Sequence, residues 1–132
     1  MAEAAAPVSS ASAERMPSDC PRLDGLPTRE LSGGLRVAEA TTRKVRRKGL
    51  AALDALPRHL ALYFPRCRQI HTVTMRFNLD LIWLDKRGEV VRVDRDVPPW
   101  RLKTCLRARH VVEAGAGTAD AFLAAGVGSV AA

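Results

Sequence analysis

With 132 residues, a mass of 14.3 kDa and 47% hydrophobic residues, 21 of the residues being alanine, the chain has large side chains for one compact domain only. Its net charge of +7 is uneven, −2 over residues 1–34 and +9 over residues 35–132, so the body carries a field that draws anionic partners without specifying a site. No apolar run approaches the ~20 residues of a membrane-spanning helix, which excludes a helical span.

Residues 1–34 are rich in Ala, Ser, Pro and Gly, with prolines at 7, 17, 21 and 27 and no sustained hydrophobic period. Such a segment buries too little apolar surface to offset its ordering entropy, which predicts a flexible, disordered tail. Leu23, Leu26 and Leu31 are expected to pack loosely on the domain, with Gly33-Gly34 as a hinge. Met1 to Cys20 shows neither a basic n-region nor an apolar h-region, so no export signal is expected. Cys20, Cys67 and Cys105 form no CxxC pair and are an odd number, unlike a disulfide framework or zinc knuckle. The expectation is a cytoplasmic protein with three reduced thiols, Cys20 exposed and the other two buried.

A single domain is expected over 35–128, followed by a short tail, 129–132. Leu35–Ala38 reads as an opening strand. Thr41 and Thr42 offer an N-cap for a helix over 43–56, weakened at Gly49. Arg43, Lys44, Arg46, Arg47 and Lys48 are the densest basic cluster and oppose the helix dipole at this end. Leu60, Leu62 and Phe64 alternate before Pro65, as in a short strand. Between Val73 and Trp83 every second residue is apolar, the period of a strand with one face in a core. That period predicts a ribbon from Thr72 to Leu84, its odd-numbered side chains dry. Asp85-Lys86-Arg87-Gly88 reads as a hairpin turn leading into a return strand over 89–97, which Pro98 and Pro99 end. Arg109–Glu113 offers one more strand, and Thr118 a cap for a short helix ending near Gly126. The closing residues from Gly128 are too small to hold structure alone.

The stretch from Cys67 through Asp85, followed by Gly88-Glu89-Val90-Val91, Pro99-Trp100-Arg101, Val111-Val112-Glu113 and Ala116-Gly117, resembles a bacterial and archaeal family, domain of unknown function 192. The likeness covers about residues 35–128. It implies a mainly β fold, a compact antiparallel β-sandwich or barrel with one or two short helices. It implies no particular activity. Asn78 stands where the family commonly has proline, and Gly128-Ser129 where it usually has Gly-Asp.

His71, Arg76, Asp80 and Trp100 interrupt the patterned sheet with polar and aromatic groups. They are the candidate ligand site of a non-catalytic binding or accessory module with an unidentified ligand or protein partner. A buried Asp80 would need donors, from Arg76, Arg101 or the Pro98–Trp100 turn. A second reading pairs His71 with Cys67 or Asp80 in an enzyme, although no nucleophile elbow, oxyanion loop or phosphate loop is present. A third uses Arg43, Lys44, Arg46, Arg47 and Lys48 as a salt-dependent nucleic-acid surface without sequence specificity. Cys67, His71 and Met75 are soft-metal ligand types, but an extended strand would hold His71 and Met75 about 13 Å apart. No metal or cofactor is therefore expected.

Overall fold

A computed structural model describes residues 20–131. Among these residues eight strands are formed: β1 (Thr28–Glu30), β2 (Arg36–Glu39), β3 (Leu60–Phe64), β4 (Gln69–His71), β5 (Leu79–Leu84), β6 (Val90–Val97), β7 (Leu102–Thr104) and β8 (His110–Gly115). Among the described residues two short α-helices accompany them, α1 (Arg43–Lys48) and α2 (Ala119–Ala124). Six strands make one sheet in the order β1-β2-β3-β8-β5-β6, and β4 pairs with β7 as a separate ribbon. The fold is mainly β, as expected, but the large sheet is open rather than a closed barrel. It is also mixed: β2 and β3 run parallel while the other pairs are antiparallel. Parallel neighbours need a crossover, and the chain supplies it with residues 40–59, which carry α1.

The central strands β3, β8 and β5 are covered on both faces, so their sequences read as near-continuous apolar runs. One face packs Leu62, Phe64, Leu79, Leu81, Trp83 and Val111 with Leu50, Leu56, Ile70 and Cys105. The other packs Ala61, Tyr63, Ile82, Leu84, Val112 and Ala114 against Ala119, Phe122 and Val127. Trp83 is fully buried, and its indole N–H donates to Asp94 at 2.9 Å.

Several sequence expectations need correction. Strand β5 begins only at Leu79, so the Thr72–Leu84 ribbon is half its expected length. Thr72 is the reason. It is buried, donates through its hydroxyl to Pro98 O at 2.7 Å, and accepts from Arg101 N–H at 2.9 Å. Its carbonyl accepts from Met75 N and Trp100 N, which turns the chain out of any ladder. Val73, expected to be dry, is 36% exposed. The helix predicted over 43–56 stops at Lys48. Thr42 caps it by accepting from Val45 N–H at 3.1 Å, and Gly49 ends it at φ +52°. Leu50 and Leu56 still reach the core, from loop rather than helix.

Order also begins earlier than expected. The first 19 residues of the predicted tail lie outside the described residues, but β1 pairs antiparallel with β2 and Leu23 is buried. Cys20 is buried rather than exposed, while Cys67, expected to be buried, is only partly so. Arg22 fastens this segment by donating to the carbonyls of Gly49 and Ala51, both at 2.9 Å. At the other end, Val127–Ala131 form a 3-10 turn against the Asp85–Gly88 hairpin turn. A Cβ on Gly128 would run into the Gly88 carbonyl oxygen, so this approach needs glycine. Ala132 lies outside the described residues.

Candidate functional site

The four residues of the sequence-based ligand site do not converge. Asp80 lies on the face of β5 that also presents Ile82 and Leu84, and is 1% exposed. Its carboxylate is occupied: Oδ1 accepts from Asp96 N–H at 2.8 Å, and Oδ2 from Gly117 N–H at 2.9 Å and Ala119 N–H at 3.0 Å. The donors it needed are backbone amides, but from β6 and the start of α2, not from the Pro98–Trp100 turn. Asp80 thereby does the capping expected of Thr118, whose hydroxyl donates to Gly115 O instead. Arg76 is exposed and paired with the exposed Asp54 at 3.1 Å. Trp100 is 72% exposed, at φ +66°.

His71 belongs to a different constellation. It borders a cavity of about 140 Å³ on the opposite face of the sheet from Asp80, between α1, the β4 ribbon and the Thr72–Met75 turn. Buried Phe64, Leu50 and Ile70 form apolar walls, and exposed Arg47, Lys48, His71 and Thr74 stand at the mouth. Arg46 also borders it, with its guanidinium donating to Pro65 O at 2.8 Å. The floor is Glu113, in the middle of β8, opposite Leu62 on one side and Leu81 on the other.

Glu113 is 6% exposed, and its carboxyl has no hydrogen-bond or ion-pair partner among the described residues. Burial pushes its pKa up to about 8, so it is largely protonated at neutral pH. Gly49 backs the space above it: a Cβ there would sit 3.3 Å from Phe64 Cζ and 4.0 Å from Glu113 Oε1. Glu113 is not among the residues that the sequence pattern marks as a site. Its one signal was an acidic residue interrupting the apolar run Val111-Val112-Glu113-Ala114.

Cys67, His71 and Met75 all border this cavity, because the Thr72–Met75 turn removes the strand spacing expected to separate them. Among the described residues, no group of three His, Cys, Asp or Glu side chains is placed to hold a metal. The Cys67 thiol donates to Gln69 O at 3.3 Å, and burial pushes its pKa up, which keeps it a protonated thiol rather than a nucleophile. His71 Nδ1 accepts from Val73 N–H at 3.4 Å, leaving Nε2 to carry the proton. The five cations of the basic cluster flank the same region. Arg43, Lys44, Arg47 and Lys48 border an open groove of about 700 Å³ that shares Arg47, Lys48, Ala51 and Thr74 with the cavity.

The fold is thus an open mixed sheet with short helices and a cavity beside the β2–β3 crossover. The sequence profile of DUF192, described as "Uncharacterized ACR", matches residues 28–127, and the chain belongs to that family. The comparison with curated proteins found no match. Two crystal structures resemble the fold. One is a candidate transcription regulator from Sinorhizobium meliloti, 18% identical at a TM-score of 0.60 over 67% of this chain and 74% of that one. The other is a protein of unknown function from Novosphingobium aromaticivorans, 15% identical at a TM-score of 0.58 over 80% of this chain and 92% of that one. At these identities the likeness is one of fold. No helix among the described residues is long and apolar enough to cross a membrane.

Proposed function

We propose that this domain is a non-catalytic binding module whose site is the cavity between His71 and Glu113. The observation that carries the reading is a carboxyl on a central strand, without a protein partner among the described residues, whose oxygens open onto a cavity where a ligand or water can reach them. Of the sequence-based candidates, His71 stays in this site, while Asp80 is engaged in holding the fold. The protonated Cys67 thiol weighs against the Cys/His enzyme. A screen of small polar compounds against the isotope-labelled chain tests the proposal. Binders are expected to move the amide signals of Gly49, His71 and Glu113, and Thr74→Trp at the mouth to weaken them at least about tenfold, some 1.4 kcal/mol. Unmoved signals across the screen, or binders indifferent to Thr74→Trp, would count against a site here.

A second reading, polyanion binding by the basic cluster, draws on the exposure of Arg43, Lys44, Arg47 and Lys48 along α1. The description of the Sinorhizobium neighbour points the same way. Here affinity for a labelled oligonucleotide should fall steeply with salt. Replacing those four residues by Gln should flatten the log–log slope by roughly 3 to 4. No binding at low salt, or an unchanged slope, would dismiss it.

A further inference from the structure

We infer that the Glu113 cavity receives a small oxyanion, a carboxylate or a phosphate group, held between the Glu113 carboxyl and the cations of α1. The inference rests on the binding-module reading and adds the chemistry of the occupant. Charge supplies the first argument. The groups that titrate or carry charge around the cavity are Arg46, Arg47 and Lys48 from α1, Cys67 from the β3–β4 loop, His71 from β4 and Glu113 from β8. Three of them are permanent cations, and all three stand on the one helix that borders the entrance. An ammonium group approaching the floor must pass them, whereas an anion is drawn in.

The state of the floor favours the same occupant. Burial alone accounts for the raised pKa of Glu113, so the helix cations do not hold its carboxyl ionised. Those cations and the carboxyl border the same cavity. A neutral carboxyl on the floor offers an O–H donor to an oxyanion, and the cations opposite offer the balancing charge. An O–H···O⁻ bond of this kind is short and strong, with no proton taken up while Glu113 is already protonated. Size is the third argument. The cavity, at about 140 Å³, is below the roughly 300–1,000 Å³ of pockets that enclose drug-sized ligands, so it suits one head group. The remainder of a larger ligand would lie in the adjoining groove, along Ala51, Ala52 and Thr74.

Amide chemical shifts of the full chain, titrated with acetate, inorganic phosphate and methylammonium against chloride at equal ionic strength, test the inference. Acetate, phosphate or both should move Gly49, His71 and Glu113, and the stronger of the two identifies the head group. Acetate is ionised at both pH 7 and pH 9, so a change in its affinity reports the protein. Above its pKa of about 8 Glu113 must first regain a proton, and acetate binding is expected to weaken about tenfold at pH 9. Glu113→Gln keeps an N–H donor and should bind acetate at both pH values alike, while Glu113→Ala should not bind it. A pH effect that persists in Glu113→Gln would come from another group and overturn the role given to Glu113. Methylammonium binding in place of the anions would overturn the oxyanion but leave the binding module standing. Silence from all three probes overturns the inference, and silence from the wider screen as well removes the binding module with it.

Discussion

Asp80→Ala is expected to abolish the cooperative unfolding transition or to bring it close to room temperature. The carboxylate joins three backbone amides, of Asp96, Gly117 and Ala119, and so ties β5 to β6 and to the start of α2. Alanine would leave those donors without their acceptor in a site that is 1% exposed at Asp80. At about 1–3 kcal/mol for each of the three buried groups left unsatisfied, the loss is roughly 3–9 kcal/mol, against a total of about 5–15 kcal/mol for a domain. Backbone conformation adds to the effect. Asp96 sits at φ +54°, outside the usual range for a non-glycine residue, and its N–H bond to Asp80 helps hold it there. Asp80→Asn keeps one carbonyl oxygen but points an amide group at remaining donors, so it should lose less than Asp80→Ala and still clearly more than a surface change. Urea unfolding followed by the fluorescence of Trp83 measures both. A loss under about 1 kcal/mol for Asp80→Ala would mean that the three amides find other acceptors.

Glu113→Gln should remove most of the alkaline loss of stability. The folded-state pKa lies at about 8, above the ordinary value of 4.5, because burial disfavours the carboxylate. Between these values the folded chain holds a proton that the unfolded chain has released, so stability falls as pH rises. The contribution is fully present below about pH 4.5, declines through neutral pH, and is lost once pH passes about 8. A shift of this size corresponds to roughly 4–5 kcal/mol across the window. Glutamine resembles the protonated side chain and does not titrate. Its urea midpoint should therefore stay level where that of the natural chain drops, and the two should differ most at pH 9. Parallel midpoint curves from pH 5 to 9 would show that Glu113 is solvated or paired in solution.

Features that depend on neighbouring residues were legible in the sequence. Leu60–Phe64 ends at its proline, Thr42 caps α1, and Asp85–Gly88 turns with Gly88 at φ +85°. The parallel pairing of β2 with β3 was not legible, because a crossover of some twenty residues leaves no local periodicity to read. Nor was the break at Thr72. Alternation of apolar and polar residues requires only that residues alternate, and it continues through a turn when a buried hydroxyl bends the chain. The candidate site divided along the same line. His71 and the basic cluster were found by residue type, but their shared cavity is assembled from a helix, a ribbon, a turn and a central strand far apart in sequence. Glu113 was hidden by its surroundings, since one acidic residue in a valine-rich segment looks like the solvent side of a strand. Strand β8 has no solvent side at Glu113.

The margins of the large sheet bear on how copies of this chain meet. At one margin β1 offers three residues, Thr28–Glu30, and at the other β6 carries Arg92, Asp94, Arg95 and Asp96, with two breaks in its register against β5. A neighbouring molecule seeking to extend the sheet meets a stub on one side and a kinked, charged strand on the other. Fibril-like stacking through backbone pairing is thus disfavoured by the outermost strands, and crowded solutions should stay clear for a reason independent of how well the interior packs.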